Sequence, residues 1–232
     1  MTPSTKISPH SGADSRDMIG AHISYRREFG ALPRVVGDVA PGDTARATVV
    51  AAHVRLLIGQ LHGHHASEDD GVWPRLHERC PAEVQPLIAV MEQQHDEVDK
   101  RLRKLEATTE RWAADAGERH RDAVVSAAAD LLSPLYEHLD LEEEKVLPLI
   151  DTYLSQQEWE EVVRAGVAKV PRSKLLLIMG LTLYDADPEM QELMSMALPS
   201  LLWPIMSRLG RRAYAVHAKR VYGTPTPDHW IN

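Results

Sequence analysis

A chain of 232 residues with 44% hydrophobic content has material for one generous domain or a domain plus an appendage, and its formal net charge of -8 argues against a nucleic-acid binder, whose affinity rests on neutralising phosphates. Cys80 is the only cysteine, and the N-terminus lacks the basic region and apolar run of a secretory signal, so a reducing cytoplasm is expected. The longest strongly apolar run, Leu175 to Leu183, falls well short of the about 20 residues that cross a bilayer, so no transmembrane helix is expected.

Residues 1–14 are rich in Ser, Pro, Thr and Gly without periodicity and read as a flexible lead, with Asp14 or Ser15 able to cap the first helix. That helix carries Met18, His22, Tyr25 and Phe29 on one face, and Pro33 should kink or end it. The second starts at the turn around Pro41 and Gly42, runs through Leu57, Leu61 and His64 toward Pro74, and ends near Cys80. Pro81 can open a third, which carries Leu87, Met91, His95, Val98, Leu102 and Leu105 before its period fades near Gly117. The fourth carries Val124, Leu131, Leu135, His138, Glu142 and Val146. Strand signals are nearly absent, so residues 15–153 read as an all-α, up-down-up-down four-helix bundle.

Residues 154–223 read as a C-terminal helical extension. Ser155 and Glu158 form a capping box for a short helix that ends before Pro171. Lys174 to Tyr184 is a short apolar helix, Asp187-Pro188-Glu189 starts another, and Pro199 to Tyr222 is a longer one containing Pro204. Residues 224–232, with two Thr-Pro steps, read as a loose tail. Leu201, Leu202, Trp203, Ile205 and Met206 lie beside Arg208, Arg211, Arg212, Lys219 and Arg220, which admits two readings. One is a cap over the bundle; the other is an interfacial membrane helix or a partner-binding arm. Helices of this length usually serve packing, so Leu175 to Leu183 and Leu198 to Met206 are both expected to bury themselves on the bundle.

A repeat organises the chain. His64 to Pro74 reads His, three residues, Glu, two acids, one residue, Val, an apolar residue and Pro, and the same pattern returns 74 residues later as His138 to Pro148. A spacing of four puts His64 and Glu68, and likewise His138 and Glu142, on one helical face within reach of a shared ion. A lone His precedes each copy on an apolar face: His22 lies 42 residues before His64, and His95 lies 43 before His138. Four imidazoles and two carboxylates would thus project into one interior, where unpaired carboxylates are costly and metal ions relieve the cost. The nitrogen and oxygen set can hold two ions with bridging carboxylates, suits iron or manganese, and exceeds the four donors of structural zinc.

These residues resemble the hemerythrin-like, or HHE cation-binding, domains. That family's bundle holds a non-haem di-iron centre with a His on the first helix, His-x-x-x-Glu on the second, a His on the third, and a His followed by a carboxylate on the fourth. The resemblance covers residues 15 to about 153 and implies His22, His64, Glu68, His95, His138 and Glu142 as ligands of two iron ions. Oxygen-carrying members have a second His on the third helix, where this chain has Asp99. Asp99 as a carboxylate ligand, an open site for water, or His65 as a fifth imidazole or a donor to Glu68 are the alternatives. Tyr25, one turn from His22, either packs or offers its hydroxyl to a ligand of the iron. His53 and His62 are expected to stand apart, and the spacings of His77 with Cys80 and of Glu92 with His95 to be coincidence.

The chain thus admits two function classes. One is redox handling of a small molecule, in which the centre stores or converts oxygen, peroxide or nitric oxide. The other is a sensing module whose metal or oxygen occupancy is reported to a partner through the C-terminal helices.

Overall fold

The structure, a computed structural model, describes residues 12–196 and 199–227. Helix α1 (Asp17–Gly37) and helix α2 (Thr44–Gly71) form the first long pair. The short α3 (Trp73–Arg79) leads to the second pair, α4 (Gln85–Asp115) and α5 (Glu118–Leu141), and α5 continues through one π turn at Glu142–Val146 into α6 (Leu147–Tyr153). Among the described residues there is no strand, and one isolated bridge joins Gly12 to Ser155. Each of α1 and α4 packs on both α2 and α5.

Local chemistry sets most of the boundaries. Asp43 caps α2 by accepting from the Arg46 N–H at 2.9 Å, and Ala116, at φ 50°, closes α4 in the left-handed region. Three expectations are corrected. Of the two outcomes expected of Pro33, a kink or an end, the end is excluded, because α1 runs on to Gly37. The second helix stops at Gly71, where a Cβ would lie 2.7 Å from Val162, and Pro74 begins α3 instead of continuing α2. Ser15 is not a helix cap, because its N–H and hydroxyl both donate to Asp151, at 3.0 and 2.7 Å. The same end of the chain is tied down at Ala13, whose N–H donates to the Leu154 carbonyl at 3.1 Å, so 12–14 are ordered while 1–11 lie outside the described residues.

Two apolar clusters divide the bundle. One gathers Phe29, Leu32, Leu57, Leu61, Leu102 and Leu135; the other gathers Met18, Trp73, Leu76, Met91, Val146 and Ile150. In every long helix the histidine singled out by the repeat falls between a residue of one cluster and a residue of the other. The polar side chains thus occupy a layer sealed on both sides by hydrocarbon.

The extension wraps this frame. Ser155 and Glu158 make the reciprocal capping box that opens α7 (Gln156–Lys169), which lies on α2 and contributes Trp159 and Val162 to the second cluster. Helix α8 (Leu175–Leu183) packs on α1 and on α10 (Trp203–Tyr222), and α9 (Pro188–Met196) packs on α1. Leu177, Leu181 and Leu183 are buried as expected of the first apolar run. The second run departs from expectation: Leu198 lies outside the described residues, and Leu201, Leu202 and Ile205 are 87%, 48% and 58% exposed. The reason is the roll of α10, which turns Gly210, Tyr214, Ala218 and Val221 inward and leaves those residues outside. Of the tail, the Pro227 carbonyl accepts from the Tyr184 hydroxyl at 2.8 Å, and 228–232 lie outside the described residues.

A buried polar knot fastens α10 and α8 to α1 and α2. Arg27 donates to Glu28 at 2.8 Å, pairs with Asp185, and donates to the Leu181 carbonyl at 3.0 Å. Glu28 also accepts from the hydroxyls of Tyr214 at 2.7 Å and Tyr222 at 2.6 Å. His53 lies 3.3 Å from the same carboxylate and 3.0 Å from His217 Nε2 on α10. Burial alone would raise the Glu28 carboxyl, yet His53, Arg27 and the two hydroxyls hold it below its ordinary value.

The helices α8 and α10 meet backbone to backbone. A Cβ on Gly180 would lie 2.1 Å from the Gly210 carbonyl oxygen. Gly180→Ala should therefore push α10 off α8 and lower stability by about 2 kcal/mol, the usual scale of overpacking. Thermal unfolding together with limited proteolysis reads this out, and an unchanged melting temperature with an equally resistant C-terminal segment would contradict it.

Candidate metal centre

The beginnings of α1 and α4 meet the ends of α2 and α5, and there the structure brings His22, His64, His65, Glu68, His95, His138 and Glu142 together. The groups His22, His64 and Glu142, then His65, His95 and His138, then Glu68, His138 and Glu142, each offer ligand atoms within 4.8 Å of one another. The first two sets are two separate clusters of donors, and the third runs between them through both carboxylates. Ligand pairs are close throughout, with His22 Nε2 at 3.1 Å from His64 Nε2 and at 3.5 Å from Glu142.

Six of the seven are buried, and His64 is partly exposed, with 11% of its side chain reaching solvent. The carboxylates are the telling members. His64 Nδ1 and His95 Nε2 stand 3.1 and 3.3 Å from Glu68, and His138 Nε2 stands 3.7 Å from Glu142, but none is aligned to donate. All four carboxylate oxygens, with Nε2 of His65, His95 and His138, are left without a hydrogen-bond partner at zero or near-zero exposure. Buried polar atoms are rarely orphaned, and orphans of complementary type aimed at one another fit cations between them.

Electrostatics without an ion reflects this crowding. Burial and the neighbouring imidazoles push His64 and His65 well below the ordinary histidine value and hold His138 at about 2. Burial and the nearby Glu68 push the Glu142 carboxyl well above its ordinary value. His95 goes the other way: burial opposes its charge, but Asp69 and Glu68 raise it to about 10.

The outer nitrogens are held by a second set of acceptors. His22 Nδ1 lies 2.9 Å from Glu143, which Arg26 anchors at 2.6 Å. His95 Nδ1 lies 2.8 Å from Asp69, which also accepts from the Trp73 indole at 3.0 Å. His138 Nδ1 lies 3.4 Å from Gln94. An acceptor on Nδ1 fixes the tautomer so that Nε2 faces inward with a free lone pair. Asp69 and Glu143 occupy the same place in the two repeats, directly after the inward Glu, and each serves the lone histidine of the other helix pair. Sequence reasoning passed over both; the signal was the acid that comes after each Glu in both copies. Consecutive helical residues diverge by about 100°, so Glu142 and Glu143, like Glu68 and Asp69, point to different partners; in the second copy a π turn begins at this place.

The alternatives for the seventh donor separate clearly. His65 sits inside, its ring stacked on His95 at 4.0 Å and edge-on to His138 at 5.0 Å. Asp99 is not brought to the cluster: its carboxylate pairs with His62 at 3.2 Å and with Arg103. The rotation of about 40° between positions 95 and 99 is enough to direct it into the solvent groove between α2 and α4, where those two bases hold it. Tyr25 packs its ring 5.3 Å from His64 and donates its hydroxyl to the Gln60 carbonyl at 3.3 Å. His53 belongs to the polar knot under α10, outside the cluster.

A cleft of about 190 Å³ between α1, α2, α7 and α8 ends on Tyr25, His64 and Glu68. Its walls are mostly apolar, with Met18, Ala21, Val162, Val163 and Ile178, and small at Gly59, Gly63 and Gly166; Asp17 and Lys169 also line it.

Replacing Asp69 or Glu143 with Ala should lower metal affinity about 10- to 100-fold while leaving the helix content intact, because the imidazoles lose their orientation but remain present. His65→Leu should lose metal, whereas Asp99→His should leave metal content unchanged. Metal titration of the four variants checks both statements, and retention of full metal content by His65→Leu would remove it from the ligand set.

Neither a curated protein nor a solved structure matches the chain significantly. The sequence does match the hemerythrin HHE cation binding domain over residues 14–150, which is more than half of its length and contains every residue of the cluster. A bundle whose histidines and glutamates converge in a buried, orphaned donor set, matched over that span, belongs to the hemerythrin family of cation-binding domains.

Proposed function

We propose that the protein is a non-haem di-iron protein that binds or converts a small oxidant or gas, with oxygen, hydrogen peroxide and nitric oxide as the candidate ligands. The observation that carries this reading is the set of seven converging donors, six of them buried, containing two carboxylates with no hydrogen-bond donor on any oxygen. Five imidazoles and two carboxylates suit ions of borderline character, and two carboxylates shared between two donor sets suit a pair of them. Iron held there would supply reversible electron exchange with a small ligand.

The protein's own residues do the rest. His22, His64 and Glu142 form one cradle, His65, His95 and His138 the other, and Glu68 and Glu142 lie between them. Glu143 and Asp69 keep His22 and His95 in the tautomer that presents Nε2. The two apolar clusters exclude bulk water above and below. The cleft admits small uncharged molecules to the side of His64, and its hydrocarbon walls suit a diatomic gas better than a charged oxidant. Burial raises the Tyr25 phenol far above its ordinary value, so at the inner end of this passage it stays neutral and keeps its proton.

Elemental analysis of protein from iron-replete cells should give about two iron atoms per chain. One zinc and no iron would sink the reading. Glu68→Ala and Glu142→Ala should each lose metal and thermal stability together, because the remaining imidazoles cannot balance two cations. Exposing the iron-loaded protein to nitric oxide or peroxide should change its optical spectrum. Gly63→Leu, which narrows the cleft without touching a ligand, should slow that change several-fold at unaltered iron content. An equal rate in the variant would mean that ligands reach the centre by another route.

A further inference from the structure

Helix α10 carries two apolar faces. The inner one, Gly210, Tyr214, Ala218 and Val221, is buried against α8 and the bundle. The outer one is a stripe of Leu202, Ile205, Leu209 and Val216, which are 48%, 58%, 44% and 57% exposed. At 100° per residue these four fall within about 60° of one another, nearly opposite the inner face, and extend over about 21 Å of helix. Leu201, 87% exposed, stands just beyond the helix start. Of the eight large hydrophobic residues standing exposed among those described, six lie between Met196 and Val216, which makes this a patch and not a scatter.

Charge defines what the patch faces. Arg212, Lys219 and Arg208 run along one edge of the stripe, within about the next 60° of the helix, and all three are exposed. Arg211 and Arg220 are exposed as well. From Pro199 to Pro227 there are five basic residues and no Asp or Glu, in a chain whose formal net charge is -8. Arg208, Arg212 and Lys219 have no carboxylate partner among the described residues, although acids abound elsewhere on the chain. Two copies meeting antiparallel, stripe to stripe, would set these cations against one another. The stripe also offers no carboxylate or amide with which to specify the polar groups of a partner. What it asks for is hydrocarbon in the middle and diffuse negative charge at the edge.

We infer that the outer face of α10 is a docking surface for an anionic lipid membrane, with Leu201, Leu202, Ile205, Leu209 and Val216 entering the headgroup boundary and Arg208, Arg212 and Lys219 meeting the phosphates. The long stems of the basic side chains let them reach outward along the edge while their methylenes cover the stripe. The helix thus serves both readings of its sequence, as a cap on one side and an interfacial helix on the other. No helix among the described residues is long and apolar enough to cross a membrane, so contact is confined to one leaflet.

The test is co-sedimentation of the full-length, iron-loaded chain with vesicles of phosphatidylcholine alone or of phosphatidylcholine mixed with phosphatidylglycerol. The protein should sediment with the anionic vesicles only, and added salt should release it. Ile205→Asp with Leu209→Asp should abolish binding. Arg208→Glu with Arg212→Glu should weaken it at least about thirtyfold, at about a kilocalorie of surface attraction for each cation lost. Because all four positions are exposed, iron content and circular dichroism should be those of the parent chain. Absence of sedimentation with anionic vesicles, or binding that the apolar pair leaves intact, overturns the inference. So does a dimer in sedimentation equilibrium that Ile205→Asp dissolves, which would assign the stripe to contact between copies.

Discussion

The structure depends on two carboxylates placed where carboxylates cannot stay alone. Glu68 and Glu142 have no exposure and no donor on any oxygen. An ionised group so placed costs several kilocalories per mole unless a cation or a proton meets it, on the order of the whole stability of a domain. The surrounding chemistry answers that demand. Imidazoles face the oxygens, acceptors behind the imidazoles fix which nitrogen is presented, and hydrocarbon on both sides keeps water from relieving the charge instead.

A second buried polar group in the same helices shows what a self-sufficient arrangement looks like. Glu28 lies as deep as Glu68, yet its oxygens accept from Arg27, Tyr214 and Tyr222. His53 bridges that carboxylate to His217. Since the single hydrogen of Tyr222 goes to Glu28, His53 must carry its own proton on Nε2 to bond there, and Nδ1 then accepts from His217. Every partner of the Glu28 carboxylate is supplied by the chain. Two clusters with similar residue types therefore differ in satisfaction: one fastens the extension to the bundle, and the other is incomplete without something added.

The six principal donors were legible because helical spacing and an internal repeat converge on them, and both signals survive without any structure. The choice between His65 and Asp99 was not legible, since each lies within about 40° to 100° of an inward position and only the roll of α4 against α2 separates them. Asp69 and Glu143 were hidden for another reason: an acidic run at the end of a helix reads as solvated surface, and their partners sit on other helices. The long helices were read from their apolar period, whereas the breaks at Gly71 and at Glu142 were not, because the apolar pattern runs on past both: at Gly71 a distant segment comes within 2.7 Å of a would-be Cβ, and at Glu142 a π turn adds a backbone residue to the turn. The outer face of α10 escaped as a burial prediction because composition records that residues are apolar and not which way a helix is rolled.

The exchange of orienting acids between the two halves bears on the order in which the molecule is made. The cradle of His22 and His64 takes its carboxylate from the later half, and the cradle of His95 and His138 takes His65 from the earlier one. The acceptors behind His22 and His95 are likewise borrowed across the divide. A chain that has completed only α1 and α2 presents imidazoles with neither the full donor set nor the acceptor that orients His22. The donor set is therefore a property of the assembled bundle, complete only once the two halves have met.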